Sequence, residues 1–490
     1  MKPTKEQVKG LLEQAADHEG HAQSTLILYP GLFRHNTSHG WLRYSGTHWE
    51  TEGAEQAVRR AVTNTLQKRR ELFAAKEQMK SANYCMSWSN NVNGTLIQLS
   101  KCSEVYTPAA AFDFSPDSLN VQNGILNLKT GTLSERTPDH LFTYCLPMPY
   151  APEAKDAGGW LLFLESVGLT DDLVRYLQMA VGYSLTGHTS EEVLFYLYGA
   201  RRSGKGTFVE TLNAMLGALA TGVDMNTFTS HRYGDTSNFD LAPLKSKRFI
   251  TASETSQRDG LNATVIKKIT GGDEIYCSFK RRDHFNYRPQ FKVWLTSNFP
   301  ANVDVDDDAA WGRLRVIHFS RSHYGTEDKG LKARLRTPES LSFVLAWAVA
   351  GAKRWYETGT QGLSTPSEVE ATTVEHRAVL DSIAQFLDQS CRIDLETVHE
   401  DTQKLVLFTS GKELHSAYSK WCEDEGYLPF GRKRFTSALE MKGIHSELRR
   451  NSDGVFRGYS GVTILSGYPS ENRNNGNEKS FSKTPRPIVI

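Results

Sequence analysis

Lys205 closes the core of "GARRSGKGT" (199–207), a G-x-x-x-x-G-K pattern followed by Gly206 and Thr207. An apolar run, "LFYLY", precedes it, and a helical pattern, "FVETL", follows. Glycines let backbone N–H groups converge on a phosphate. The helix after Lys205 would turn its positive end toward that phosphate, and the lysine would reach the β/γ oxygens. The chemistry this spacing serves is the binding of ATP with Mg²⁺. Gly199, Ser203, Gly204, Lys205, Gly206 and Thr207 are the candidate nucleotide contacts. The position after the lysine, commonly Ser or Thr, is Gly206, which leaves Thr207 to offer a hydroxyl to the metal.

A phosphate cradle hydrolyses nothing alone. Turnover needs an acid, a group that senses the γ-phosphate and a cation for the transition state. "KSKRFITASET" (245–255) reads as an apolar strand ending at Ser253-Glu254. Glu254 is therefore the candidate for orienting or deprotonating the attacking water, and with Thr207 a candidate metal contact. "FKVWLTSNFP" (291–300) is another strand, ending at Asn298, a candidate partner for the water or the γ-phosphate. "DDDAAWGRLRVIHF" (306–319) sets Arg313 and Arg315 before a short strand. Taken singly, a strand-end glutamate, a turn asparagine and an exposed arginine are ordinary surface residues. Their order after the glycine-rich loop carries the signal.

Two further stretches suit nucleic acid. In "EIYCSFKRRDHFNYRPQF" (274–291), strand-like runs flank a charged tip of Lys280, Arg281, Arg282, Asp283 and His284. The cations, with Arg288, interleave with Phe279, Phe285 and Tyr287. Phosphates take the charge and rings take stacked bases, although a solvated hairpin would carry the same charges. Near the carboxyl end, "GKELHSAYSKWCEDEG" (411–426), "GRKRFTSALEMKG" (431–443) and "LRRNSDGVFRGYSGVTIL" (448–465) read as two helices and a hairpin. That is a winged-helix pattern, with Arg432, Lys433 and Arg434 opening its second helix. Contact with duplex or origin DNA and docking on a protein both fit it.

The elements that must position these residues follow from periodicity. Helical spacing runs over 5–17, over 54 to about 80 and over 171–187, the last stopping at Gly187. In the second, Val58, Val62 and Leu66 share a face and the Lys68-Arg69-Arg70 run reads as solvated. Residues 340–359 form a helix with Leu341, Leu345, Ala348 and Trp355 inward. Residues 40–50 read as a hairpin, 112–133 as short strands between Asn-Gly and Thr-Gly turns, and 192–320 as a series of strands. A chain of 490 residues exceeds one ordinary core. Its 57 Lys and Arg nearly cancel 56 Asp and Glu, so nucleic-acid contacts must be local patches. Six scattered cysteines without a CxxC pair argue against a zinc site or disulfide framework and for a reducing cytoplasm. The charged amino terminus and the lack of a long apolar run predict a soluble protein with no membrane partner. From Ser466 the composition is that of a disordered tail.

"NGILNLKTGTL", "YLQMAVGYSLTGHTSEEVLFYLYGARRSGKGTF", "KRFITASET", "IKKITGGDEI", "FKVWLTSNFP" and "AAWGRLRVIHF" together resemble the helicase part of the phage and plasmid primase-helicases. That group is a branch of the superfamily 3 helicases that includes the poxvirus primase-helicase. The stretches cover residues 110–320, in family order. The resemblance implies an α/β chain with an AAA+-like P-loop ATPase core at 191–330. Around it are expected an N-terminal mixed and helical region (1–110), a helical collar-like domain (111–190), a helical lid and linker (331–380), the winged-helix domain (381–465) and the tail (466–490). It also implies a hexameric ring moving along single-stranded DNA, typically 3′ to 5′, with the hairpin of Lys280, Arg281, Arg282 and His284 in the pore. By resemblance Glu254 is the Walker B acid, Asn298 the sensor, Arg313 the arginine finger with Arg315 second, and Lys267 the basic residue of an extra family motif. The first third has no primase signature, so a separate primase or polymerase is a candidate partner. The expected function is an ATP-dependent DNA helicase of a phage, plasmid or other mobile element, acting on single-stranded and forked or origin DNA during replication. The alternatives are an initiator or loader ATPase that binds origin DNA without processive unwinding, and a nucleotide kinase, since Gly-Lys-Gly-Thr also occurs in kinase loops.

Overall fold

The computed structural model describes residues 3–229, 241–253, 260–278, 284–399, 404–427, 429–451 and 454–465. The chain divides into two units, Met1–Val374 and Glu375–Ile490.

In the first unit, helices α1 (Lys5–Glu13) and α2 (His18–Leu28) precede an antiparallel sheet of β1 (Phe33–Asn36), β2 (Gly40–Tyr44) and β3 (Trp49–Glu50). Helices α3 (Ala54–Ala75), α4 (Met79–Tyr84) and α5 (Ser89–Leu99) follow. α1 begins where Thr4 and Gln7 cap each other: the Gln7 N–H donates to Thr4 Oγ1 at 3.2 Å and the Thr4 N–H to Gln7 Oε1 at 3.0 Å. Val58, Val62 and Leu66 of α3 are buried together, as their spacing predicts. The solvated reading of the Lys68-Arg69-Arg70 run needs correction, because Arg69 is fully buried. Its guanidinium donates to the carbonyls of Leu11 (3.1 Å), Gln14 (2.6 Å) and Ala15 (2.9 Å), and to His21 Nδ1 (2.5 Å). The carbonyl end of α1 is the negative end of a helix, which stabilises the cation, and Asp17 adds to this. His21 is the neutral acceptor in this network. Burial, then Arg69, pushes its pKa down to about 4, and its Nε2–H donates to the Tyr84 carbonyl at 3.2 Å.

An antiparallel meander comes next, β4 (Ser118–Val121), β5 (Gly124–Asn127) and β6 (Leu133–Ser134), then α6 (Trp160–Ser166) and α7 (Asp171–Leu185). Within 111–190, expected to be a helical collar, long helix therefore occupies only the second half. α7 starts at Thr170, whose hydroxyl accepts from the Leu173 N–H, and ends two residues before Gly187.

The rest of this unit is built on a sheet of β7 (Leu194–Tyr198), β8 (Ala220–Gly222), β9 (Phe249–Ser253), β12 (Lys292–Ser297) and β13 (Leu314–His318). Between these strands lie α8 (Lys205–Leu216), α9 (Ala263–Thr270), the paired strands β10 (Ile275–Ser278) and β11 (His284–Tyr287), and α10 (Asp308–Arg313). The five strands are parallel, in the order β8-β9-β12-β7-β13. The inner strands β7, β9 and β12 are buried almost throughout because the sheet is covered on both faces. Trp294 of β12 stacks on Phe195 with ring centroids 4.2 Å apart, and its indole N–H donates to Ser184 of α7 at 3.0 Å. Two cations enter the sheet from its amino edge and are buried. Arg248 donates to the carbonyls of Ser115, Pro116 and Leu185; Lys292 donates to those of Thr186 (2.6 Å) and His188 (3.0 Å). Leu185 and Thr186 end α7, so both charges sit at a helix carboxyl terminus.

After the sheet come α11 (Leu331–Leu335), α12 (Pro338–Thr358) and α13 (Ser367–Leu380). The predicted face of α12, Leu341, Leu345, Ala348 and Trp355, is buried. α12 crosses α7 at backbone contact. A Cβ at Gly351 would lie 1.8 Å from the Gln178 carbonyl oxygen, and one at Gly182 would lie 2.0 Å from the Ala352 nitrogen. Only glycine fits at either position.

The second unit holds α14 (Ser382–Ser390), β14 (Cys391–Ile393), β15 (Phe408–Ser410), α15 (Gly411–Glu425), α16 (Arg432–Met441), β16 (Ser446–Asn451), β17 (Gly454–Ser460) and β18 (Val462–Ile464). β15, β17 and β16 form one antiparallel sheet, and β14 pairs with β18. Leu414, Tyr418 and Trp421 of α15 pack with Phe386, Phe435 and Leu439 in its core. Among the described residues, no helix is long and apolar enough to cross a membrane.

Candidate functional site

The loop 199–204 leaves the end of β7 and re-enters the chain as α8, whose first residue is Lys205. Gly204 has φ +92°, and a Cβ there would stand 2.5 Å from Val167 Cγ1 and 3.0 Å from Phe163 Cε2. Glycine is needed both for the turn and for the packing of α6 beneath the loop. Lys205 is buried, and its Nζ donates to the carbonyls of Gly199 (2.6 Å) and Ala200 (2.9 Å), to Ser203 Oγ (3.1 Å) and to Asn298 Oδ1 (3.1 Å). Burial pushes its pKa down to about 8. Among the described residues the ammonium thus faces neutral acceptors, in a place where an anionic ligand would stabilise its charge.

A cleft of about 320 Å³ opens over this lysine, lined by Arg201, Arg202, Ser203, Gly204, Lys205, Gly206, Thr207, Thr296, Asn298 and Lys332. Three of these cations were not singled out from sequence. Arg202 holds φ +60°, pairs with Glu327 and lies over the Tyr324 ring. Lys332 of α11 pairs with Glu210 of α8 at 2.8 Å. The space at Gly206 is open, since a Cβ would meet nothing nearer than Glu210 Oε1 at 3.8 Å.

Strand register explains why Asn298 meets the loop. Tyr198 stands opposite Ser297, so Gly199 and Asn298 each follow directly at the carboxyl edge of neighbouring strands. Ser253 is opposite Thr296 one strand further on, and their hydroxyls lie 2.8 Å apart. Glu254 follows Ser253 in the chain but lies outside the described residues, so its candidate roles toward water and metal have no side-chain geometry here.

Arg313, Arg315 and Lys267 are not brought to this edge. Leu314 pairs with Leu194, the first residue of β7, so the arginines sit at the amino end of the edge strand. That is about 16 Å from the loop at the usual rise per residue. Arg313 donates to Glu192 Oε2 (2.6 Å), Thr270 Oγ1 (3.1 Å) and the Ala309 carbonyl (3.0 Å). Arg315 donates to the carbonyls of Gly312 and Leu314. Lys267 pairs with Asp307 at 2.8 Å, and the lysine's hydrogen bond is the largest cause holding that carboxyl below its ordinary range.

Of the hairpin at 274–291, β10 and β11 are described, while Lys280, Arg281 and Arg282 and the side chain of His284 lie outside the described residues. The flanks correct one detail of the sequence reading. Tyr287 is buried, its hydroxyl donating to the Leu241 carbonyl at 2.7 Å, so it is not a ring offered for stacking. Arg288 pairs with Glu274 at 3.5 Å. In the second unit, Arg432, Lys433 and Arg434 are exposed in the first turn of α16, with Arg434 over the Phe430 ring at 4.0 Å. Cations at the positive end of a helix oppose its dipole, so helix stability is not what favours them there.

Residues 27–167 match the D5 N terminal like family, and residues 197–313 match a family of unknown function, DUF5906. A protein of Acanthamoeba polyphaga mimivirus named "Putative helicase L207/L206" is 24% identical over 429 residues, covering 79% of this chain and 45% of that protein. One of Frog virus 3 (isolate Goorha), named "Putative helicase 022R", is 23% identical over 320 residues, covering 61% of this chain and 31% of that protein. The chain thus spans less than half the length of these relatives. Among solved structures, the A form apo structure of the NrS-1 C terminal region (305–718) is 13% identical, with a TM-score of 0.45, covering 91% of this chain and all of that one.

Proposed function

We propose, from the premise that this chain carries a D5 N terminal like segment and is related to viral proteins named helicases, that it is an ATP-dependent DNA helicase of a virus or other mobile element. In this reading the five-stranded sheet is an AAA+-like P-loop core, and the second unit is a winged-helix domain. The assembled form is a ring, hexameric in the group it resembles, that moves on single-stranded DNA during replication.

The observation that carries the reading is the shared carboxyl edge. The loop with its buried Lys205, the Asn298 side chain and the strand leading to Glu254 converge there. The donor set fits a magnesium-bound triphosphate. Lys205, Ser203 and the loop would hold the phosphates, and Thr207 with Glu254 would serve the metal. When bound, Mg-ATP supplies the transferable γ-phosphoryl group. Lys205 then exchanges neutral acceptors for phosphate oxygens, Asn298 holds the nucleophilic water or a terminal oxygen, and Glu254 takes the water's proton. Besides Lys205, the cations lining this cleft are Arg201, Arg202 and Lys332, of which Arg202 is paired with Glu327 and Lys332 with Glu210, while Arg313 stands at the opposite end of the edge strand. That separation favours an arginine given to the site of a neighbouring copy.

The test is ATPase activity with and without single-stranded DNA, beside strand displacement on a forked substrate. Lys205→Ala should abolish turnover and nucleotide binding, whereas Glu254→Gln should abolish turnover and keep binding. Wild-type turnover in Glu254→Gln would remove Glu254 from the mechanism. DNA-stimulated ATPase without strand displacement would favour a loader, and phosphoryl transfer to a nucleoside without DNA would favour a kinase.

A further inference from the structure

Arg313 is gripped inside its own chain by three elements. Nη2 donates to Glu192, two residues before β7; Nε donates to Thr270, the last residue of α9; Nη1 donates to the Ala309 carbonyl in the first turn of α10. Of the five guanidinium N–H groups, one on Nη1 and one on Nη2 have no hydrogen-bond partner among the described residues. Two terminal N–H groups on one planar fork are what a bidentate contact with a phosphate uses.

The grip is built from both ends of α10. At its start, Asp307 caps the helix by accepting from the Ala310 N–H at 2.9 Å, and the same carboxylate pairs with Lys267 of α9. At its end, α9 supplies Thr270 to Arg313. α9 and α10 are thus tied at two points, which fixes the axis on which Arg313 rides. Glu192 itself holds φ +50°, a left-handed backbone that a non-glycine residue seldom adopts, with its N–H donating to the Thr189 carbonyl at 3.1 Å. Arg313 is largely covered at 21% side-chain exposure, whereas Glu192 is 49% exposed. A half-exposed ion pair alone adds little stability. Its geometric effect on a planar group is larger, because it selects one orientation of the fork.

We propose that Glu192 is a positioning residue, supported by Thr270, that aims Arg313 at the terminal phosphate of a nucleotide bound by the next copy of this chain. This inference rests on the trans-arginine reading above and names the group that makes it geometrically specific. Glu192 and Gly199 flank the same strand. Thus β7 carries the holder of the outgoing arginine at one end, and at the other the carbonyl that Lys205 uses before a ligand arrives.

The experiment uses the full chain and four variants: Glu192→Ala, Glu192→Gln, Arg313→Ala and the Glu192→Ala/Arg313→Ala double. DNA-stimulated ATPase, binding of a fluorescent ATP analogue and ring assembly are measured for each. Glu192→Ala should lower kcat by about ten- to a hundredfold with KM and analogue binding unchanged. Glu192→Gln, which keeps an acceptor, should recover part of that loss. The double variant should fall no further than Arg313→Ala alone, because both changes remove one interaction. Co-assembly of Glu192→Ala chains with Glu254→Gln chains should restore activity, since some interfaces then pair an intact acid with a correctly held arginine. If Glu192→Ala does not fold, Thr270→Val gives the same signature more mildly. Wild-type kcat in Glu192→Ala beside an inactive Arg313→Ala overturns the inference and leaves the trans-arginine reading standing. A raised kcat in Glu192→Ala makes the glutamate a restraint and overturns the proposal. Full activity in Arg313→Ala overturns this inference and shifts the trans role to Arg315. Joint loss of assembly and analogue binding without rescue reduces Glu192 to a structural contact.

Discussion

The ammonium of Lys205 donates to the side-chain oxygen of Asn298 at 3.1 Å, joining the start of α8 to the end of β12. Four neutral oxygens surround a group with three N–H donors, so the contact is shared and replaceable. An incoming phosphate can take up the charge while Asn298 turns to another partner. The lysine and the asparagine are therefore already in mutual reach before any ligand arrives.

That geometry has a pH signature. Burial lowers the Lys205 pKa to about 8, and an anion at Nζ would raise it again. Above pH 8 the free protein has begun to lose the proton that the complex retains, so binding takes up a proton there. Nucleotide affinity should hold below pH 8 and fall as pH rises above it. Calorimetric titration in buffers of different ionisation enthalpy checks this. Proton uptake at pH 9 should be present in wild type, and its absence would place the bound phosphate away from Nζ.

The two glycines flanking Lys205 should answer differently to substitution. Gly204→Ala forces a left-handed backbone and a Cβ 2.5 Å from Val167, so a loss of about 2 kcal/mol or more is expected, together with nucleotide binding. Gly206→Ser meets open space, and serine is the better helix former by about 0.5 kcal/mol. It should retain ATPase activity and lower the Mg²⁺ concentration needed for half-maximal turnover. Thermal melts and Mg²⁺ titrations separate the pair, and an inactive Gly206→Ser would mean that the ligand fills that space.

Arg69→Ala should destabilise the first unit by about 3 kcal/mol or more, because three carbonyls and His21 Nδ1 lose their donor in the interior. Lysine should rescue it poorly, since a point charge lacks the guanidinium fork. Urea unfolding gives the comparison. A loss below about 1 kcal/mol would show that water or a rearranged α1 replaces the donor.

The two basic patches should separate by DNA form. Replacing Arg432, Lys433 and Arg434 by Ala should weaken duplex binding and flatten its salt dependence, while α16 becomes slightly more stable as its dipole is relieved. Replacing Lys280, Arg281 and Arg282 should do the same for single strands and abolish unwinding with ATP binding intact. Filter binding at several salt concentrations reads both. An unchanged duplex salt slope in the first variant would favour protein docking by the second unit.

The loop around Lys205 was legible because its chemistry is local: glycine, lysine and strand-to-helix context lie within a dozen residues. The hairpin of β4 and β5 was legible for the same reason, since Asn123-Gly124 marks its turn. Asn298 could be named from its order in the chain, but its bond to Lys205 depends on β12 lying beside β7, which no local pattern encodes. Arg69 was misread because a run of charges looks the same whether or not a distant helix presents carbonyls to one of them. Glu192 gave no signal at all. A glutamate in a polar loop becomes informative only when Arg313, 121 residues later, is seen to end beside it.

Arg248 and Lys292 bear on how this protein can be divided and recombined. Their side chains donate to carbonyls at 115–116 and 185–188, across the boundary near 190 that the sequence suggested. A fragment begun at that boundary would keep both side chains and lose their acceptors, and each buried donor left unmatched costs about 1–3 kcal/mol. Such a fragment should be insoluble, whereas one begun before Ser115 retains the acceptors. Exchange of this five-stranded sheet between genomes must then carry the meander and α7 with it. The seam open to shuffling lies upstream of both.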